Sequence, residues 1–226
     1  MKLISIIVPT KDRLNFLPNI LRNYYRQDYP KKFMELIIGD DSIESIKKYL
    51  PDDDTIKYFK LENMSIGKKR NLLCEKAKGD IIIFMDDDDY IPKERVSHSV
   101  ENLKDCEITG CSEIFVYYAE LNKIYKYGPL SENHATCGTL AFTKEYFNTN
   151  KFNNKDYKSE EYFFLNKFTE KIKQLDTKKV ILCIAHMSNT VDKKKFIKDK
   201  YLSDYNIEDF IKEKEDLIFF KSLYKN

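Results

Sequence analysis

Four short apolar runs recur in the first ninety residues: "LISIIVP" (3–9), "MELIIG" (34–39), "IKYFKL" (56–61) and "DIIIFM" (80–85). Each is rich in β-branched or aromatic residues and bounded by turn or polar residues, the pattern of buried strands. Between them the period changes. Leu17, Ile20, Leu21 and Tyr24 fall at i, i+3, i+4 and i+7, one face of a helix. Pro18 sits near that helix's start, where backbone N–H groups lack internal partners anyway. The run "IGKKRNLLCEKAKG" reads as a second helix stopped by Gly79, and Val96, Val100 and Leu103 mark a third after Pro92. Parallel strands need crossover connections, so strands alternating with helices predict an α/β fold with a mostly parallel central sheet flanked by helices. Ligands in such sheets bind beyond the carboxyl ends of the strands.

Past residue 104 the pattern loosens. "EITGCSEIFVYYAE" and "KIYKYG" predict a smaller hairpin region and "GTLAF" a short strand, followed by a helix over 160–172. "KKVILCIAH" predicts another strand, 206–224 a final amphipathic helix, and the polar stretch 148–159 a mobile loop. At 226 residues and 42% hydrophobic, one core is expected, hence a single domain over 1–226. A formal net charge of +2 gives no overall field for nucleic acid or an anionic membrane, so partners must be chosen by local sites. No apolar run reaches the length of a transmembrane span, and "MKLISIIVPTKDR" turns polar without a cleavage-site pattern. Cys74, Cys106, Cys111, Cys137 and Cys183 are an odd, scattered set without CxxC spacing. This argues against a disulfide framework or a structural zinc and for a reducing, cytoplasmic setting.

The most constraining polar feature is "FMDDDDYIP", four aspartates in a row where the fourth strand should end. Successive side chains at a strand end alternate sides, so Asp86 and Asp88 are expected to converge while Asp87 and Asp89 face elsewhere. Paired carboxylates resist joint ionisation unless a cation compensates, and Mg²⁺ or Mn²⁺ shared with substrate phosphates is the common compensation. The bland alternative is Asp89 capping the helix near Pro92, with the other three as solvated loop charges. A calcium loop fails because its sixth position, counted from Asp86, is Ile91 where glycine is needed. A DDxxD diphosphate motif fails because its last position is Tyr90.

"ISIIVPTKDR", "LIIGDDS" and "SIGKKRNLLCEKAKGDIIIFMDDDDYIP", in this order and spacing, resemble the nucleotide-binding half of GT-A glycosyltransferases of the family 2 type. The likeness is strong over 3–92 and weak afterwards. It implies a Rossmann-like GT-A fold with a donor half, 1–104, and an acceptor half, 105–226. It also implies a DXD-dependent, inverting transfer of a sugar from a nucleotide sugar, UDP first among candidates, to a hydroxyl acceptor on a glycan, protein or lipid. Carried across, Pro9, Thr10, Asp12 and Arg13 face the nucleotide, and Asp41, with Asp40 close behind, contacts the nucleoside. Gly67 permits a tight turn from which Lys68 and Arg70 reach base or diphosphate, while Lys69 is expected to be exposed. Asp86 and Asp87 neighbour the donor, and Asp88, Asp86 and His186 hold Mn²⁺ or Mg²⁺. The base is an acid pair at a helix start, here Glu160 and Glu161. Glu161 is preferred, although the family's usual second acid is Asp. Against this, Ser159 as an N-cap with two acids in the first turn suits the helix dipole without catalysis.

His134 is placed near an acceptor or diphosphate pocket, and His98 on a helix surface. The tail "DKKKFIKDKYL" reads as a solvated charge run whose Phe196, Ile197, Tyr201 and Leu202 dock on a lid or the core. Two alternatives stay open. A sugar-nucleotide transferase would need a Gly-rich loop after the first strand, which "VPTKDRLNFLP" lacks. A catalytically inactive GT-A protein kept for binding or assembly would share the fold. A homo-oligomer is compatible with either.

Overall fold

The computed structural model describes residues 1–189 and 191–223. Strands β1 (Ile4–Thr10), β2 (Met34–Asp40), β3 (Ile56–Lys60) and β4 (Ile81–Phe84) fall on the four apolar runs. Helices α1 (Leu17–Tyr25), α2 (Ile66–Lys76) and α3 (Arg95–Asn102) lie between or after them. Then come β5 (Ile108–Gly110), the β6 (Ile114–Tyr118) and β7 (Lys123–Tyr127) hairpin, β8 (Ala141–Thr143), α4 (Lys144–Thr149) and α5 (Glu161–Phe164). The last elements are β9 (Lys173–Gln174), β10 (Cys183–Ala185) and α6 (Lys214–Ser222). No described helix is long and apolar enough to cross a membrane.

The main sheet has the order β3-β2-β1-β4-β8-β5-β9. β1, β2, β3 and β4 run parallel, while β8 is antiparallel to both β4 and β5. Because β1 has β2 on one side and β4 on the other, the chain reverses direction of travel across the sheet there, opening a crevice at the ends of β1 and β4. Both faces of β1, β2 and β4 are buried, which explains why these strands read as near-continuous apolar runs. On one face Ile4, Ile6 and Val8 of β1 pack with Leu17, Ile20 and Tyr24 of α1 and Val96 of α3. On the other, Ile7, Ile37, Ile82 and Phe84 meet Leu73 and Cys74 of α2 and the Phe142, Phe147, Phe152 and Phe164 group. A second sheet, β10-β6-β7, carries its own apolar cluster against α6, and Arg22 of α1 with Arg26, its C-cap, docks α6 through buried Asp216.

Several expectations are corrected. The helix over 160–172 stops at Phe164 because Asn166, Lys167 and Phe168 all take positive φ. The final helix starts at Lys214, preceded by a single 3-10 turn, Ile207–Asp209, with an Asn206/Asp209 capping box; residue 224 lies outside the described residues. Helix α2 ends at Lys76, with an extended Ala77 as its C-cap, before Gly79. Ser159 has positive φ, and the start of α5 has no side-chain cap. The stretch 148–159 is fastened to α2. Asn71 Nδ2 donates to Phe152 O at 2.8 Å, its Oδ1 accepts from Phe152 N at 3.0 Å, and Ser65 Oγ donates to Asn154 O at 2.5 Å.

Candidate active site at the ends of β1 and β4

Beyond Phe84 the chain turns across the end of β1, and each aspartate finds a different partner. Asp86 Oδ1 accepts from Arg70 Nη2 at 3.1 Å. Asp87 Oδ2 accepts from Thr10 Oγ1 at 2.6 Å. Arg13 Nη1 lies 2.5 Å from Asp87 Oδ1 and 2.9 Å from Asp88 Oδ2. Asp88 Oδ2 also accepts from Asn189 Nδ2 and meets His186 Nε2, both at 3.1 Å. Asp89 Oδ1 accepts from the Ile184 N–H of β10 at 2.8 Å, so it is a buried tie between sheets and caps no helix. The pair sharing a cation is therefore Asp87 with Asp88, not Asp86 with Asp88. Burial and the adjacent Asp88 charge raise the Asp87 carboxyl. Burial would also raise Asp88, but the His186 hydrogen bond and the Arg13 guanidinium override it and hold Asp88 well below the usual range.

This turn is clamped from behind by a polar row that the apolar periodicity hid. Asn19, Asn23 and Gln27 follow one another at i, i+4 and i+8, buried beside the apolar stripe of α1. Asn19 Nδ2 donates to the carbonyls of Asp87 and Asp89, both at 2.9 Å, and Asn23 Nδ2 donates to Asp89 O at 2.9 Å while its Oδ1 accepts from Ile91 N. Gln27 Nε2 donates to Pro92 O and its Oε1 accepts from Val96 N. Buried backbone groups need such partners.

On the β2 side, Asp40 is fully buried and spent on its own loop: it accepts from Ser42 N, Ile46 N and Tyr58 OH. Asp41 is ion-paired to Lys69, whose Nζ also donates to Thr10 O. Lys69 is therefore buried, contrary to the expectation of an exposed side chain; its burial lowers the ammonium pKa. Lys68 is the exposed member of the run. Asp12, at positive φ, accepts from Ile43 N at 2.9 Å, which closes the β1 and β2 loops over each other. Pro9 is paired with Gly39 in the sheet. Gly67 lies in the first turn of α2 instead of a separate tight turn, and a Cβ there would stand 2.2 Å from Asn153 O.

On the β4 side, Arg70 joins Asp86 to Glu160, its Nε donating to Glu160 Oε1 at 3.0 Å. It is buried against the Phe84 ring, and its Nη1 has no hydrogen-bond partner. Burial would raise Glu160, yet the Arg70 charge overrides it and lowers that carboxyl. Glu161 has no ion-pair partner among the described residues, and burial, reinforced by the Glu160 charge, pushes it up to about 7. Gly138 lets the 137–139 turn approach Asp86: a Cβ there would lie 2.6 Å from Asp86 Oδ2. His134 packs on Phe168, and His98 Nε2 accepts from Asp176 N at the 176–179 turn. Ile197 and Tyr201 of the basic tail pack on the second sheet, while Lys193 turns inward and donates to Ile184 O at 2.8 Å.

For a metal, Asp88 and His186 are the two donors that meet, with Asp86 two residues along the turn. Among the described residues no group of three or more His, Cys, Asp or Glu forms a complete cage. Two protein donors plus substrate phosphates is the arrangement that suits Mg²⁺ or Mn²⁺, so these residues fit an ion shared with a diphosphate.

A model of the family described as Glycosyl transferase family 2 matches residues 5–189, which takes in β1 to β4, the aspartate turn, Glu160, Glu161 and His186. The chain belongs to glycosyl transferase family 2. The curated relatives of this family 2 glycosyltransferase include the poly(ribitol-phosphate) β-N-acetylglucosaminyltransferase TarS of Staphylococcus aureus (strain Mu50 / ATCC 700699), 34% identical over 97 residues, covering 40% of this chain and 17% of TarS. Another is the GalNAc(5)-diNAcBac-PP-undecaprenol β-1,3-glucosyltransferase of Campylobacter jejuni, 30% identical over 122 residues, covering 51% of this chain and 38% of that protein. The match thus spans well under half of either relative. Among solved structures, TarS 1–349 of S. aureus with UDP-GlcNAc superposes with a TM-score of 0.60 at 18% identity, over 83% of this chain and 60% of that one. The Pyrobaculum calidifontis mannosyltransferase PcManGT with GDP-Man and Mn²⁺ gives 0.62 at 15% identity, over 85% and 58%. These likenesses establish the GT-A fold.

Proposed function

We propose that this family 2 glycosyltransferase moves a sugar from a nucleotide sugar, with UDP as the nucleotide, to a hydroxyl acceptor with inversion. Residues 1–104 bind the donor and 105–226 the acceptor within one domain. The observation that carries this reading is Arg70, which gathers Asp86 of the aspartate turn and Glu160 of the acceptor half into one buried cluster and leaves Glu161 beside it without a counter-ion. The donor's nucleoside lies along Pro9, Thr10, Asp12 and Asp41, with Lys68 at the rim. Asp40 and Lys69 hold this wall, and Gly67 keeps the 153–156 loop seated on α2.

Arg70 Nη1, a buried donor without a partner, offers a hydrogen bond to a diphosphate oxygen. A divalent ion at Asp88 and His186, with the diphosphate, supplies Lewis-acid stabilisation of the departing charge. Glu161 takes the proton from the acceptor hydroxyl as that oxygen bonds to the anomeric carbon, and the bond from that carbon to the diphosphate oxygen breaks with its electron pair leaving on the nucleotide. Glu160, locked to Arg70, keeps the neighbouring negative charge that helps hold Glu161 near neutrality. UDP is favoured by the TarS complex, and Mn²⁺ by the PcManGT complex. Five free cysteines support a cytoplasmic setting. The test is nucleotide release from UDP, GDP, CMP and dTDP sugars with Mn²⁺. Release above blank from one donor class, lost in Glu161→Gln, supports transfer; binding without release from any donor supports the inactive alternative.

A further inference from the structure

Arg13 is mostly buried, and its guanidinium is engaged at both ends. Its Nη1 lies between Asp87 Oδ1, at 2.5 Å, and Asp88 Oδ2, at 2.9 Å, while Nη2 donates to the carbonyl of Ser188 at 2.8 Å. One guanidinium thus ties the end of β1 to the aspartate turn and to the 186–189 turn after β10. The same Asp88 oxygen also meets His186 Nε2 and Asn189 Nδ2 at 3.1 Å, and Asn189 in turn holds the His186 backbone N–H at 2.8 Å. A metal entering at that oxygen must displace at least one of these neighbours, and a guanidinium touching the oxygen repels any second cation placed there.

We propose that Arg13 is the resident counter-cation of the Asp87–Asp88 pair, that a divalent ion binding at Asp88 displaces it, and that this displacement frees the 186–189 turn from its Ser188 tether. Arg13 is thus a positioning residue that sets metal affinity and couples ion binding to the acceptor half. The coupling has a place to act, since His186, Met187 and Asn189 line a cavity of about 810 Å³ with Tyr118, Lys193 and Ile197.

This inference rests on the metal reading above, and the experiment separates the two. Mn²⁺ alone is titrated into the full chain by electron paramagnetic resonance of the free ion, with hydrogen exchange followed at 187–189. Arg13→Gln, which removes the competing charge, is expected to bind Mn²⁺ at least about tenfold tighter than the unmodified protein. Mn²⁺ should also raise exchange at 187–189 in the unmodified protein to the level the variant shows without metal. Arg13→Lys, the fold-preserving control, keeps the charge but loses the two-pronged reach, so its Mn²⁺ affinity should stay near that of the unmodified protein while exchange at 187–189 rises. Equal or weaker Mn²⁺ binding in Arg13→Gln, or equal tightening in both variants, overturns the competition while leaving the metal site standing. Absence of Mn²⁺ binding in every form overturns the metal reading and the competition with it.

Discussion

The Nε of Arg70 stands 3.0 Å from Oε1 of Glu160, and both side chains are nearly sealed from solvent. Ninety positions separate them, so the contact joins α2 to the start of α5. Breaking one side of a buried ion pair leaves the other charge uncompensated, at a cost of about 3–5 kcal/mol. Arg70→Met strands both Glu160 and Asp86 and is expected to lose an amount of that order in urea unfolding. Glu160→Gln, which keeps a hydrogen-bond acceptor toward Arg70, should lose distinctly less.

Glu161 sets the expected pH dependence. A general base works deprotonated, and burial with the Glu160 charge pushes its carboxyl up to about 7. Transfer, measured as kcat/KM, should therefore rise with pH through about 7 and level off above it. Glu161→Gln should lower kcat by about 10²- to 10⁴-fold with donor affinity retained. Glu160→Gln removes a negative neighbour, so the rising limb should move to lower pH; an unmoved limb would assign the titration to another group.

Two glycines make opposite forecasts. A Cβ at Gly67 would meet the Asn153 carbonyl at 2.2 Å, and a backbone atom cannot swing aside. Gly67→Ala should thus cost about 1–3 kcal/mol in thermal unfolding by lifting the 153–156 loop off α2. At Gly138 the atom met is Asp86 Oδ2 at 2.6 Å, the tip of a side chain that can rotate. Gly138→Ala should change stability less but lower transfer by displacing Asp86 from Arg70.

The row on α1 is expected to hold the aspartate turn in shape. Asn23→Leu orphans the Ile91 N–H and leaves the Asp89 carbonyl with Asn19 as its remaining donor, at about 1–3 kcal/mol for the buried N–H. Denaturant unfolding should show that loss, with a parallel drop in donor affinity because the carboxylates move with their backbone.

The sheet was legible because strands buried on both faces must be apolar throughout, and Asp86 to Asp89 were conspicuous because charges rarely follow such a run. What stayed hidden was polar and tertiary. Lys69 of α2 is buried because Asp41, just past the end of β2, meets it, and no local pattern announces that. Asp40, read as a nucleoside contact, is consumed by three donors of its own loop and of β3. The row Asn19, Asn23, Gln27 keeps helical spacing and could have been found by asking which polar residues flank an apolar stripe. The early end of α5 has no Gly or Pro to mark it, only three residues forced to positive φ.

The central claim is that the turn after β4 holds a divalent ion against a donor diphosphate through Asp88. Calorimetric titration of UDP into the protein, with Mn²⁺ and with a chelator, and again in Asp88→Asn, tests it most directly. The account predicts binding that weakens at least about tenfold without Mn²⁺ and is similarly weak in Asp88→Asn whether or not Mn²⁺ is present. UDP affinity indifferent to both the ion and the substitution would contradict it.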